Sequence, residues 1–434
     1  MVDILPFRGI RYAPAAAGAA LDQLAAPPYD VISPTEQDAL YAKHPANIVR
    51  LILGREDDKY AQAARLFREW LASGTLKAED TPSMYVYRQK FDDPLTGQPV
   101  PERVGLVCLM KLEDYSTGRV LPHEKTLTGP KADRLGLLRA TEAQFESIYG
   151  LFSDPDSAVR SFIQEYDDRE DVIERVDGLL GSTHKVERIA DADAQAVLKE
   201  LMADKAVFIA DGHHRYETAL TYQQEVHTEA AAESPHPADY ILVTLTAFED
   251  EGLLVLPTHR LVRNVPAEKV AALPAALAQS FTLSESRLET IEAEIAAQAA
   301  SGKVAFGVIL PDSVHLAVLI ADPSALGAAE RLPVSLLGTL ILDECLGIDA
   351  AKVAGGSQAS YTREISEAAQ AVASGDAQAA FVLGRPSAAE VEAVSLAGEV
   401  MPQKSTFFYP KLLSGLVLRD LRDPLALDQS QEAS

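Results

Sequence analysis

The chain has 434 residues, 47% hydrophobic and 24% charged, which is ordinary globular usage and enough to build large cores in about two domains. Lys and Arg total 39 against 64 Asp and Glu, and the formal net charge of −25 argues against a DNA surface or an anionic membrane as partner. Two cysteines, Cys108 and Cys345, make neither a disulfide framework nor a structural zinc site. With no charged-then-apolar leader and no run near the ~18 apolar residues that span a bilayer, a cytoplasmic address is expected.

Along the chain, a short strand from Ile4 leads to the stiff Pro27-Pro28-Tyr29-Asp30-Val31, and a helix begins at Ser33 or Pro34. The apolar, β-branched run Asn47–Leu53 reads as a strand. Ala64, Phe67 and Leu71 have helical spacing in a helix that stops at Gly74. Ser83–Phe91 and Arg103–Leu112 flank a Pro/Gly-rich turn and read as a hairpin. Helices are expected from Pro130 to about Thr141 and over Ser157–Glu165. Ala206–Ala210 then breaks at Asp211-Gly212 and passes into a helix with Tyr216, Ala219, Leu220 and Gln223 on one face. After the Ser-Pro-His-Pro punctuation at 234–237, strands are expected at 240–248, 253–256, 304–310, 314–320 and 379–383. Ala-rich helices alternate with them at 267–279, 288–300, 364–373 and 388–397. The resulting organisation is an α/β (α+β) chain with domains at 1–235 and 236–422 and a loose tail from Asp423 to Ser434.

Four segments carry candidate chemistry. In Asp211-Gly212-His213-His214-Arg215, a strand runs through a glycine into a helix, whose first N–H groups and positive dipole end suit an anion. Arg215 offers a fork for phosphate oxygens, and the two histidines can donate hydrogen bonds or move protons. An N-capping Asp211 with locally satisfied histidines is the structural alternative. Between His123 and Arg139, the cations Lys125, Lys131, Arg134 and Arg139 stand against Glu124 and Asp133, a balance of +2 in an acidic chain. Here Glu124 is a candidate base or metal ligand; a solvated, salt-bridged helix start is the alternative. The third segment, Met401 to Lys411, is free of acids and brings Lys404, Ser405 and Thr406 beside three aromatics that read as a core anchor or pocket wall. The fourth is Asp30, held by consecutive prolines, which suits either a Mg²⁺ ligand or a helix start. Pro257-Thr258-His259-Arg260 reads as structural. No Walker, Gly-x-Gly-x-x-Gly or Gly-x-Ser-x-Gly pattern is present.

Together, Pro-Pro-Tyr-Asp-Val (27–31), His-Glu-Lys-Thr (123–126), Asp-Gly-His-His-Arg-Tyr-Glu (211–217) and Met-Pro-Gln-Lys-Ser-Thr (401–406) resemble a widespread bacterial family. It is catalogued as domain of unknown function 1015 and often labelled SpoOJ/ParA/ParB/RepB-like. The Gly-His-His-Arg turn resembles the phosphate-contacting turn of ParB proteins, whose fold class also holds sulfiredoxin and free-serine kinases. The resemblance implies a ParB/sulfiredoxin-like N-terminal domain with Gly212, His213, His214 and Arg215 at phosphates. The charge of −25, the acidic second half and the lack of a helix-turn-helix after the turn favour the enzymes of that fold class over DNA partition.

The function expected on these grounds is a nucleotide-dependent phosphotransferase acting on a small hydroxylated metabolite, with ATP or another nucleotide and Mg²⁺. Gly212, His214, Arg215, Lys125, Lys131, Arg134, Lys404, Ser405 and Thr406 would meet phosphate. His123, Glu124, His213 and Asp30 would do acid–base work, with Asp30 and Glu124 as metal ligands. A metal-dependent hydrolase using His123, Glu124, His213 and His214, and a noncatalytic nucleotide-binding switch, are the alternatives. The expected partners are the small substrate and the nucleotide, with neither DNA nor membrane, and a homodimer is left open.

Overall fold

A computed structural model describes residues 2–124, 128–166, 172–229, 235–402 and 404–427. Lys125 and Thr126 therefore lie outside the described residues, as does the tail beyond 427. The chain separates into two compact units, one of residues 1–122, 126–254 and 410–434 and the other of residues 123–125 and 255–409.

The first unit is built on a nine-stranded mixed sheet. Its order is Val120–Leu121, Val207–Asp211, Ile148–Phe152, Tyr240–Ala247, Arg103–Lys111, Met84–Phe91, Ser182–Ile189 and Val172–Leu179, with Ile4–Leu5 also pairing with Arg103–Lys111. The expected hairpin is present, with Tyr85 opposite Val107 and Gln89 opposite Arg103. Period-two alternation sends Tyr85, Tyr87, Val107, Leu109 and Leu242 into one core and Met84, Val86, Leu106, Cys108, Met110 and Val243 into another. Both faces are covered, so these strands read as unbroken apolar runs. Each large side chain so buried contributes roughly 1.5–3 kcal/mol.

Helices pack on both sides. Pro34–Lys43 starts with a capping box, in which Ser33 accepts from the Glu36 N–H and the Glu36 carboxylate accepts from the Ser33 N–H. Lys59–Ala72 buries Phe67 and Trp70, and Thr128–Thr141 packs against His213–Glu229. The run at 47–53 is a correction: Val49–Ile52 is one helical turn, not a strand. The buried Asn47 side chain accepts from the Val49 N–H at 2.9 Å and donates to the carbonyls of Gln23 and Ala25, fixing a turn where β-branched composition predicts extension.

The boundary expected at 235 falls differently in the structure. Tyr240–Ala247 sits between two strands of the first sheet, so the first unit runs on to Leu254. The chain returns to it at Pro410, where the buried Arg103 guanidinium donates to the Pro410 carbonyl and Gln89 donates to the Lys411 carbonyl at 3.2 Å. Asp423, expected to open a loose tail, is paired with Arg8 at 3.0 Å.

The second unit holds a six-stranded antiparallel sheet, ordered Phe281–Glu285, Ser313–Leu319, Ala305–Leu310, Ala379–Val382, His259–Val262 and Ala359–Thr362. The Ala-rich helices appear at Ala267–Leu277, Ile291–Ala300, Ile365–Ala373 and Ala388–Leu396, within a few residues of their expected ends. Among the described residues, no helix is long and apolar enough to cross a membrane.

Candidate functional site

Strand Val207–Asp211 delivers the chain to Gly212, whose φ of +94° is open to glycine. Helix His213–Glu229 follows, and its first bond runs from the Tyr216 N–H to the Gly212 carbonyl at 2.9 Å. A Cβ on residue 212 would lie 2.9 Å from Ile148 Cγ2 and 3.1 Å from an Arg215 nitrogen, so the turn is closely packed. His213 is buried, while His214 and Arg215 are partly exposed.

Around this turn the first unit gathers a network of charges. Lys411 Nζ lies 3.0 Å from Asp211 Oδ1, and Arg215 Nη2 donates to Asp211 Oδ2 at 3.3 Å. Arg215 Nη1 also donates to the Ser147 carbonyl at 2.6 Å. Burial pushes the Asp211 carboxyl up, but Lys411, Arg215 and His213 outweigh it and hold its pKa at about 2. The guanidinium of Arg215 is pulled down by burial and held up by Glu146, Asp211, Asp30 and Tyr29, the carboxylates winning. Glu146 accepts from the Tyr29 N–H at 3.1 Å and the Ser414 hydroxyl at 2.9 Å. Arg134 stacks 4.0 Å from the Tyr29 ring centre, donates to Asp133 and to the Ile52 carbonyl, and stands 4.0 Å from Glu146. Lys131 is paired with Glu217 at 2.8 Å. Tyr29 has its hydroxyl pushed up to about 12, by burial first and by Asp30 and Glu146 against the two arginines.

Asp30 stands apart in this network. It is exposed at the end of the double-proline segment and takes part in no hydrogen bond or ion pair among the described residues, yet it feels Arg215 and Tyr29 through space. The other carboxylates are committed: Asp211 to Lys411 and Arg215, Glu146 to Tyr29 and Ser414, and Asp133 to Lys59, Tyr60 and Arg134. A cavity of about 60 Å³ beside Arg134, Glu146 and Arg215 has room for a few waters, far below the several hundred Å³ of a ligand pocket.

Within the second unit, the His123 and Met401 segments form a cluster. The Met401 N–H donates to the His123 carbonyl at 2.7 Å, and His123 Nε2 is paired with the Thr406 hydroxyl at 3.0 Å. The Lys404 N–H donates to Glu124 Oε1 at 3.3 Å. Ser405 is buried and its hydroxyl donates to the Pro402 carbonyl, closing a turn. Lys125 lies outside the described residues. Among those described, no group of three or more His, Cys, Asp or Glu side chains is gathered to hold a metal.

Glu146, Ser147 and Ser414 carry no pattern in the sequence that marks them for this network. Lys411 stood out only as the end of the acid-free segment from Met401. Positions 146 and 147 acquire their roles because Ile148–Phe152 pairs beside Val207–Asp211 and sets them next to the turn.

The family model for proteins of unknown function DUF1015 matches residues 4–338. Comparison with curated proteins finds no match. Among solved structures, a conserved hypothetical protein from Pyrococcus furiosus is 15% identical, with a TM-score of 0.37 over 73% of this chain and 96% of its own. Free serine kinase in complex with AMP is 14% identical, with a TM-score of 0.37 over 70% of this chain and 86% of that one. SbnI with a C-terminal truncation, from Staphylococcus aureus, is 11% identical, with a TM-score of 0.37 over 72% and 86%. The ParB-type label finds no support in these matches.

Proposed function

The chain belongs to the DUF1015 family, and we propose that its first unit binds a nucleotide at the 211–215 turn and transfers a phosphoryl group to a small hydroxylated metabolite. The observation that carries this reading is the carboxylate of Asp30, uncommitted among the described residues and within electrostatic reach of Arg215 at the start of a 17-residue helix. Phosphoryl transfer asks for charge neutralisation and an oriented nucleophile more than for covalent chemistry. Gly212 and His214 would meet the donor phosphates at the helix start, with Arg215 and Lys411 supplying positive charge behind them. The ParB/sulfiredoxin-like architecture for this unit is part of the proposal, supported by its strand–glycine–helix turn.

In the proposed step, the acceptor hydroxyl oxygen bonds to the terminal phosphorus of the donor and the bond from that phosphorus to the bridging oxygen breaks. The nucleotide leaves with one phosphate fewer, and Asp30 takes the hydroxyl proton. His213 is the spare acid–base group. Asp30 also fits Mg²⁺, which takes one or two carboxylates together with substrate phosphates and would neutralise charge on them.

The test is transfer of labelled phosphate from ATP, ADP, CTP or GTP to hydroxylated amino acids and other small alcohols, with and without Mg²⁺. Asp30→Asn should keep nucleotide affinity and lower turnover by about 10²-fold or more. Equal turnover in Asp30→Asn would refute the role of Asp30. Nucleotide bound tightly without transfer to any acceptor would reduce the site to a binding switch.

A further inference from the structure

Arg260 is 3% exposed, in the strand His259–Val262 of the second unit's sheet. A buried guanidinium ordinarily has a carboxylate on its fork, because desolvating a cation without a counter-charge is costly. Arg260 has none within ion-pair distance among the described residues. Its Nη1 donates to the Thr258 carbonyl at 2.6 Å, its Nη2 to the Lys404 carbonyl at 3.2 Å, and its carbon stands 4.6 Å from the Tyr361 ring centre. Burial draws its pKa down to about 10, with Tyr361 and Glu124 opposing.

The loop over this cation is held in an unusual shape. Lys404 has a φ of +56°, a left-handed conformation that non-glycine residues rarely adopt. Its N–H is given to Glu124 and its carbonyl to Arg260, which together fix that conformation, while its side chain is exposed. Arg260 and Lys404 against Glu124 leave a local formal charge of +1 in a protein at −25. Strained, polar, net-positive loops of this kind are characteristic of ligand clamps.

We propose that the second unit carries its own oxyanion site, in which the phosphate or carboxylate of a small ligand is held by the Arg260 fork and the Lys404 ammonium. Binding exchanges the Lys404 carbonyl for a true counter-charge on Arg260 and relaxes the left-handed turn. The site stands independently of phosphoryl transfer in the first unit, and Arg260 becomes a binding residue rather than the structural one that its sequence context suggests.

Crystals of the full chain soaked in tungstate, a phosphate surrogate, give the direct test by anomalous scattering. Calorimetric titrations with inorganic phosphate and with malonate run alongside, to separate phosphate from carboxylate ligands. A tungstate peak within hydrogen-bond distance of Arg260 is expected. Lys404→Ala, a change at an exposed side chain, should weaken binding of whichever anion is taken by about tenfold. Arg260→Gln should abolish binding with the fold retained by circular dichroism; if that variant does not fold, Lys404→Ala and the anomalous map still decide. No peak at Arg260 together with no malonate binding that Arg260→Gln removes, or anions bound only at the 211–215 turn, overturns the proposal without touching the kinase reading. Equal affinity in Lys404→Ala overturns the role of Lys404.

Discussion

Lys411 and Asp211 lie 200 positions apart in the chain, yet their charged atoms meet at 3.0 Å, with the ammonium only 9% exposed. The contact joins the returning C-terminal segment to the strand end that starts the 211–215 turn, so folding of that segment and the charge state of the turn are coupled. Removing one partner of a buried pair leaves an uncompensated charge, which costs about 3–5 kcal/mol when nothing else compensates. Arg215 still faces Asp211 in a Lys411→Met variant. A loss of about 2–3 kcal/mol is therefore expected in urea unfolding at pH 7. A loss under about 0.5 kcal/mol would show that the pair is of the weakly coupled surface kind.

The same carboxylate sets an acid limit. Asp211 titrates at about 2 in the fold against an ordinary 3.8, so the unfolded chain takes up the proton first as pH falls. Its contribution is complete above pH 3.8 and is lost on descending towards pH 2, amounting to about 2 kcal/mol. Asp133 acts in the same direction, its pKa held at about 2 by Arg134, Lys59 and Tyr60 against burial, with a smaller share because it is 27% exposed. Denaturant titrations from pH 5 to pH 2 should show a shallower decline for Asp211→Asn than for the native chain.

Histidines define a second, higher window. Burial holds His184 and His259 at about 4, with the neighbouring Arg103 and Arg260 also lowering them. Neutral His184 fits its site, with Nε2 donating to the Leu179 carbonyl at 3.0 Å and Nδ1 accepting from the Tyr87 hydroxyl at 2.7 Å. Their folded pKa values lie below the ordinary 6.5, so the unfolded chain binds protons first. Stability is full above pH 6.5 and falls as pH drops towards 4, by about 3 kcal/mol for each histidine. His184→Gln should flatten the decline between pH 6.5 and 4, and an unchanged slope would contradict the assignment.

Gly212→Ala forces a left-handed φ on a residue with a Cβ and drives that atom against Ile148 and Arg215. A loss of about 1–3 kcal/mol is expected, together with weaker nucleotide binding, because Arg215 has to shift. Thermal unfolding with and without nucleotide separates the two effects. A variant as stable as the native chain would show that the turn relaxes freely.

Much of this architecture was legible in the sequence, and the losses have physical causes. The hairpin at 84–111, the strand–Gly212–helix passage and the Ala-rich helices announce themselves by periodicity and glycine punctuation. The hairpin Val172–Leu179 with Ser182–Ile189 was missed because its alternate positions are charged, as in Arg175, Asp177, Lys185 and Glu187, and the apolar signal is diluted. At 47–53, one side-chain hydrogen bond from Asn47 outweighs β-branched propensity. In the candidate site, the turn and Asp30 were visible as motifs. The commitments that set their chemistry come from strand pairing and chain return, which bring Glu146, Ser147, Lys411 and Ser414 into place and leave no local pattern.

The central claim is that the 211–215 turn binds nucleotide phosphates. Its most direct test is the thermal stability of the native chain and of Arg215→Lys against ATP, ADP, CTP, GTP and pyrophosphate, with and without Mg²⁺. A nucleotide at 100 times its dissociation constant adds about 2.7 kcal/mol, which is a readily measured rise in melting temperature. Such a rise is expected for at least one nucleotide in the native chain, and its loss in Arg215→Lys, where the planar fork is gone. No rise with any of these ligands, or an equal rise in both proteins, would contradict it.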